Sequence, residues 1–254
     1  MDELLEATAR AEHQHFWFRG FRRFVTPLVA QAVRGRPGAT ILDCGCGTGH
    51  NLALLRQFGR AAGIDLTASG LAYAHRHGER SIARASVVAL PFPDATFDLV
   101  TSFDVIYSLP DDAEARALSE MFRVLRPGGH VVINVAAMAL LTGNHSVLSG
   151  ELRRYNRAGL EQRLRTAGFE ICRVTYTNAT IMPILTAVRL LQRFSGHRES
   201  TREISVPPAP VNATLSAVLG IEATALRFVN MPFGSSLLAL ARRPRDLASD
   251  HLTE

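Results

Sequence analysis

Two carboxylates bracket a run of glycines in this chain, and their spacing is the first pointer to chemistry. In TILDCGCGTGHN (40–51), Thr40, Ile41 and Leu42 read as a buried strand that ends at Asp43. Gly45, Gly47 and Gly49 follow at alternate positions, and a helical pattern starts at His50. A strand that turns on glycine into a helix offers backbone N–H groups and a helix N-terminus to a ligand. Glycine is needed there because a Cβ would block the approach. The G-x-G-x-G spacing departs from the G-x-G-x-x-G of dinucleotide binding, since His50 holds the third-glycine place. Asp43, next to the loop, suits an ammonium group better than a pyrophosphate. Asp65 lies 22 residues beyond Asp43, the distance at which a βαβ unit presents an acid to a ribose diol. The competing reading of Asp65 is a cap for a helix over 67–78.

Other chemistry-bearing residues are sparse. All 28 basic residues are arginine, which excludes a lysine Schiff base, a Walker-type phosphate lysine and lysine general-base chemistry. Cys44 and Cys46 sit inside the glycine loop, and Cys172 stands far from them. With no second Cys/His pair at zinc spacing, they read as small packing residues in a reducing compartment, and no metal site is expected. The segment HQHFWFRGFRR (13–23) holds four aromatics and three arginines in eleven residues. It reads either as an anchor that docks an N-terminal helix or as a flap over a ligand. His15, His145 and Tyr107 are the candidate acid–base groups. Arg153 and Arg154 are a pair able to grip an anion bidentately or to lie solvated.

These residues need an alternating α/β frame. Strands are expected at 40–43, 61–64, 81–87, 97–102, 130–137, 170–177 and 235–243. Helices are expected over 2–35 with a break near Phe16 to Gly20, and at 50–58, 67–78, 111–125, 157–167, 181–194 and 213–229. Residues 195–212, with VPPAPVN, read as a linker, and 244–254 as a disordered tail. A length of 254 residues with 47% hydrophobic and 20% charged content fits one elaborated globular domain. The net charge of +5 is spread along the chain, so no nucleic acid is expected as a partner. An acidic, polar N-terminus and the lack of a membrane-length apolar run point to a cytoplasmic protein without membrane contact.

ILDCGCGTG (41–49), AAGIDL (61–66), VVALPFPDATFDLV (87–100) and MFRVLRPGGHVVI (121–133) follow one another in the order of a known motif series. Over these residues the chain resembles the class I S-adenosylmethionine-dependent methyltransferases. The resemblance implies a Rossmann-like α/β fold: a seven-stranded, mostly parallel sheet with helices on both faces and an antiparallel last strand beside the sixth. It implies a single domain over 1–243, with an N-terminal helical flap (1–37) and a cofactor-binding core (38–137). An acceptor-side loop and helices (138–232) and the final strand (233–243) complete it.

The resemblance also implies S-adenosyl-L-methionine as cofactor, with S-adenosyl-L-homocysteine as product. Contacts are implied at Asp43, Gly45, Gly47 and Asn51, then at Asp65 and Leu66, and at Ser86, Val87 and Phe103. Small methyltransferases resembling this one carry a His-Phe/Trp-Trp-Phe segment before the first strand, which brings in Trp17 and Phe18. Two positions depart from the family pattern: Ser86 stands where an acid receives the adenine amino group, and Tyr107 stands where histidine is common. His145, on the loop after the fifth strand, is the preferred base. Tyr107, His15, Arg154 and Tyr155 are the expected acceptor contacts. The expected reaction is methyl transfer to a small molecule, on oxygen. A cofactor-binding protein without catalysis is kept open by Ser86, and an NAD-type oxidoreductase is opposed by His50. The apolar stripe of 181–194 reads as core or as a homodimer surface.

Overall fold

The computed structural model describes residues 9, 11–137, 151–183, 186 and 206–245. Its strands are β1 (Ala39–Cys44), β2 (Gly59–Asp65), β3 (Ile82–Arg84), β4 (Phe97–Phe103), β5 (Leu125–Ala136), β6 (Glu170–Thr177) and β7 (Ser236–Arg242). The helices are α1 (Phe16–Ala32), α2 (His50–Leu55), α3 (Ala68–Arg76), α4 (Asp111–Val124), α5 (Arg157–Thr166) and α6 (Ala209–Ala225), with a short 3-10 turn at Ile106–Ser108. One seven-stranded sheet runs β3-β2-β1-β4-β5-β7-β6. The first five strands pair in parallel, and β7 lies antiparallel between β5 and β6.

Alternation along the strands builds two cores, one on each face, because successive side chains of a strand point to opposite sides. Leu42, Val100, Ile133 and Ala239 join the core under α4 and α5, which contains Leu118, Met121 and Leu160. Their neighbours Ile41, Leu99, Val132 and Leu240 join the core under α1 and α6, with Val25, Leu28 and Leu219. All seven residues of β4 are buried, as expected for a parallel strand covered on both faces. Among the described residues no helix is long and apolar enough to cross a membrane.

Several expected boundaries are corrected. The break in the N-terminal helix falls at His13–His15, not at Phe16 to Gly20. Gly20 continues α1 and serves packing, since a Cβ there would stand 2.4 Å from Leu219 Cδ1 on α6. The stretch read as a linker to Asn212 instead contains the first turn of α6, with Pro208 as its N-cap. Proline is compatible with a first helical turn because those N–H groups have no intrahelical acceptor. Asn212 Oδ1 accepts from Phe16 N at 2.8 Å, and its Nδ2 donates to Gln14 O at 2.9 Å, so the start of α6 is tied to the start of α1. That helix ends at Ala225 rather than 229, β3 stops at Arg84, and β5 begins at Leu125 with a register shift opposite Phe97/Leu99. The expected helix over 181–194 and the tail lie almost wholly outside the described residues.

The N-terminal edge of the sheet is held by Asp98. Its carboxylate accepts from Thr40 N (2.8 Å), Thr40 Oγ1 (2.9 Å), Arg36 Nη1 (2.9 Å) and Arg126 Nη1 (2.7 Å). Burial pushes this carboxyl up, but the bonds from Thr40, Arg126 and Arg36 together hold it below the usual carboxylate range. The stability it contributes is therefore present above the unfolded-state value and is lost as pH falls through the lowered folded value. Asp98→Ala is expected to cost about 2–3 kcal/mol, read from urea unfolding at pH 7, and the difference from the parent chain should shrink as pH drops below 4.

Candidate functional site

The sheet reverses strand order at β1, which has β2 on one side and β4 on the other. The ends of β1, β2 and β4 thus open a crevice at the point where an α/β sheet accepts ligands. Immediately after β1 the glycine turn folds back onto β2: Gly45 N and Cys46 N donate to Ile64 O at 2.8 and 2.9 Å. Gly47 N donates to Asp65 Oδ2 at 2.8 Å, and Asp65 Oδ1 receives Thr67 N and Thr67 Oγ1 at 2.8 and 2.6 Å. Asp65 therefore holds the glycine loop and fixes Thr67, the residue that caps α3 in place of Asp65 itself. Its oxygens keep further lone pairs for a ligand. A Cβ at Gly47 would meet nothing within 4 Å, which leaves that side of the loop open. Gly45 has φ +86°, and a Cβ on it would stand 2.2 Å from Val105 Cγ2.

Asp43 is 1% exposed. Its Oδ1 accepts from Thr101 Oγ1 at 2.7 Å on the neighbouring strand, while Oδ2 is buried without a hydrogen-bond partner among the described residues. Burial raises this carboxyl to about 7, against the Thr101 bond and with the help of the Asp65 charge. A buried acid with one unanswered oxygen beside an open glycine turn fits a cationic, hydrogen-bonding ligand end. Thr48 Oγ1 donates to Glu12 Oε2 at 2.7 Å, linking the loop to the N-terminal segment. Asn51 is half-buried in the first turn of α2.

Around this loop the remaining expected contacts divide. Leu66 is 61% exposed, and its carbonyl accepts from Arg84 Nε at 3.0 Å. Ser86 lies in a turn, its Oγ accepting from Val88 N at 3.4 Å. The Val87 side chain is in the core. Phe103 is buried and meets Phe21 edge to face at 5.1 Å, so it binds α1 to the end of β4. Trp17 and Phe18 are half-buried in the first turn of α1, with Trp17 against the core on that face. His15 caps the same helix: Nδ1 accepts from Trp17 N at 3.1 Å, the ring stacks on Phe16, and burial lowers its pKa.

Of the residues expected at the acceptor, Tyr107 is buried in the 3-10 turn and its carbonyl accepts from Leu152 N. His145 lies outside the described residues. Arg154 is paired with Glu151 and donates to Ala137 O at 3.1 Å. Tyr155 and Arg153 belong to a cluster that spacing did not reveal. Glu114, fully buried on α4, accepts from Tyr155 Oη at 2.7 Å and Arg163 Nη1 at 2.8 Å, and also pairs with Arg153. Burial, then Glu114, pushes the Tyr155 hydroxyl up, which makes it a positioning group rather than a proton carrier.

A second pair missed from the sequence stands at the crevice itself. Asp104, directly after β4, has φ +60°, a left-handed conformation that Asp tolerates better than most residues. Two bonds to β5 hold it there: Asp104 N donates to Asn134 O at 3.0 Å, and Asn134 Nδ2 donates to Asp104 Oδ1 at 2.9 Å. Asn134 is 3% exposed, whereas Asp104 is exposed. The mass of surrounding protein raises the Asp104 carboxyl to about 7, opposed by the Asn134 bond and aided by the Glu151 charge. Solvent reaching the side chain tempers that shift. The strand-end position was legible, but the pairing across 30 residues was not. Among the described residues no three His, Cys, Asp or Glu side chains converge to hold a metal ion.

Gly45→Ala is expected to destabilise the fold by roughly 1–2 kcal/mol through its left-handed backbone, and further through the contact with Val105. Thermal unfolding and calorimetric titration with S-adenosylmethionine should show both losses, with binding weakened more than stability alone accounts for.

Residues 42–133 match the model of a methyltransferase domain family. A probable S-adenosylmethionine-dependent methyltransferase of Mycolicibacterium smegmatis is 33% identical over 162 residues, covering 62% of this chain and 61% of its own. The malonyl-[acyl-carrier protein] O-methyltransferase of Pectobacterium atrosepticum is 32% identical over 241 residues, 94% of this chain and 85% of its own. Among solved structures, Haemonchus contortus phosphoethanolamine N-methyltransferase 2 in complex with S-adenosyl-L-methionine has a TM-score of 0.60 at 18% identity, covering 96% of this chain and 58% of that one. With a glycine turn and two acids at the switch point, and a relative matched over most of both lengths, the chain belongs to the S-adenosylmethionine-dependent methyltransferases.

Proposed function

We propose that this methyltransferase acts on an oxygen of a small organic acceptor, with Asp104 as the group that takes the acceptor's proton. The reading is carried by the Asp104–Asn134 pair at the end of β4. One carboxylate oxygen is held by a buried amide, and the other makes no hydrogen bond among the described residues. The name of the Pectobacterium relative supports oxygen as the methylated atom.

For the cofactor, the proposed assignment gives the aminoacyl end to Asp43, the glycine turn and Asn51. The ribose goes to Asp65 and the adenine to Leu66 and the Ser86–Val87 turn. The Val87 N–H donates to no group among the described residues, so the backbone supplies a contact that Ser86 alone would make weakly. Trp17, Phe18 and Phe103 form the aromatic side. His15 is reassigned from the acceptor to holding that aromatic turn in place. Arg154 and Tyr155 act on the acceptor side through Glu151 and Glu114.

When bound, S-adenosylmethionine supplies a methyl group on a good leaving group. What is asked of the protein is alignment of the acceptor and exclusion of water. An alcohol or phenol also gains from losing its proton as its oxygen attacks. Asp104 Oδ2 receives that proton, and Asn134 keeps Oδ1 in place. A carboxyl raised above its ordinary range is better matched to that task than an unperturbed one, so turnover should rise with pH as Asp104 ionises. Tyr107, buried three residues further on, positions the acceptor. His145, outside the described residues, is the second candidate base.

Once an acceptor is found by mass-spectrometric screening of alcohols, phenols and acids for methylated products, Asp104→Asn should lower kcat by about a hundredfold or more while cofactor affinity holds. Unchanged turnover would remove Asp104 and leave His145. For Asp43, a ligand ammonium beside the carboxyl should return its pKa toward the ordinary range. Titrating S-adenosylmethionine at pH 7 in buffers of different ionisation enthalpy should therefore reveal release of about half a proton, and Asp43→Asn should abolish it.

A further inference from the structure

The arginine-rich part of HQHFWFRGFRR is not among the residues assigned above to methyl transfer, and its placement in the fold is specific. Arg19, Arg22 and Arg23 recur at helical spacing, so they share one face of α1. That face borders a cavity of about 870 Å³ between α1, α2 and α6, to which Arg227, His13 and His50 also contribute. Pro27, Leu54 and Ala223 add apolar surface to the same lining. None of the residues assigned to the methyl donor lines this cavity.

The cations in it are only partly balanced among the described residues, Glu12 acting on Arg22 without a direct ion pair. Among the described residues none of the four arginines forms an ion pair. Arg22 Nη1 donates to Glu12 O at 3.0 Å and Arg23 Nη1 to Ser216 O at 2.6 Å. Each contact occupies one of the five N–H groups of a guanidinium. The Arg19 and Arg227 side chains make no hydrogen bond among the described residues. Room for Arg23 comes from Gly220 on α6, where a Cβ would stand 2.6 Å from Arg23 Nη1. Arg22 and His50 carry the cost of this gathering. Burial depresses Arg22, with Glu12 opposing and Arg19 adding to it. His50 is lowered to about 4 by burial, then Arg22, then His13. Glu12, which accepts from Thr48 Oγ1, acts on Arg22 through its charge.

An arginine face that served only solubility would be spread over convex surface, where water screens each charge. Here four guanidiniums border one concavity, and a ligand bearing two or more negative charges on a phosphoryl group would relieve their repulsion. Guanidinium forks match phosphoryl oxygens bidentately, and the volume exceeds that of a phosphate alone. We propose that this cavity is a binding site for a small phosphorylated organic molecule, separate from the crevice that holds the methyl donor.

Inorganic pyrophosphate is a suitable first probe, titrated calorimetrically into the full chain at low ionic strength. The parent chain should bind it, and Arg19→Ala/Arg227→Ala should weaken binding about tenfold or more by removing two charged bidentate donors. Because neither side chain is hydrogen-bonded within the protein, the double variant should fold and bind S-adenosylmethionine with unchanged affinity. That control also separates this proposal from the assignment of the methyl-donor site. The Arg19→Lys/Arg227→Lys chain should recover part of the affinity, since charge returns without the fork. No pyrophosphate binding by the parent, or binding indifferent to the arginine pair, overturns the proposal. So does binding confined to an RNA oligonucleotide and lost steeply with salt.

Discussion

The reversal of strand order at β1 is the constraint on which the rest of the molecule depends. With β2 on one side and β4 on the other, the connections leaving the strand ends diverge to opposite faces, and a crevice opens between them. Both faces of the sheet are already filled by helices, so the strand ends are where polar groups meet a ligand. Asp43 shows the pressure this creates. It is a carboxylate at the end of a central parallel strand, answered on one oxygen by Thr101 and, among the described residues, left unanswered on the other. Such a group is costly in the free protein, and a cationic partner would offset that cost.

The glycine turn is a product of the same constraint. To bring N–H groups over the end of β1, the chain must reverse within a few residues, and it does so with left-handed backbone at Gly45, Gly47 and Gly49. Val105, after β4, fills the space that a Cβ on Gly45 would take. The glycine loop and the end of β4 are thus packed against each other, so a shift in the loop is felt by the segment carrying Asp104 and Tyr107.

Away from the crevice, charge is handled in two ways. Glu114 is buried among Tyr155, Arg153 and Arg163, and Asp98 among Thr40, Arg36 and Arg126. In both places a carboxylate is answered by several donors, as a buried charge requires. The arginines along α1 are gathered with no direct carboxylate ion pair among the described residues, Glu12 alone acting on Arg22 through its charge. A protein whose cations are all arginine cannot hide them by deprotonation, so their clustering in a cavity is a feature that calls for a ligand.

What the sequence by itself determined is the set of features written in neighbouring residues. These are the strand–glycine turn–helix at 40–51, the acid closing β2, the strands on either side of each helix, and through the motif order the placing of β7. Their spacing follows from backbone geometry, with periods of two and 3.6 and glycine where φ is positive. Helix ends were legible only within a few residues, because the start of α1 is set by the His15 cap together with a distant contact from Asn212 on α6 to Phe16. Side-chain partnerships were decided by tertiary structure alone. Asp104 meets Asn134 because β4 and β5 pair in that register, and Tyr155 meets Glu114 because α5 follows a bridge that sets Tyr155 beside Ala137. Such contacts join residues tens of positions apart, where no local periodicity carries information about which side chains will face each other.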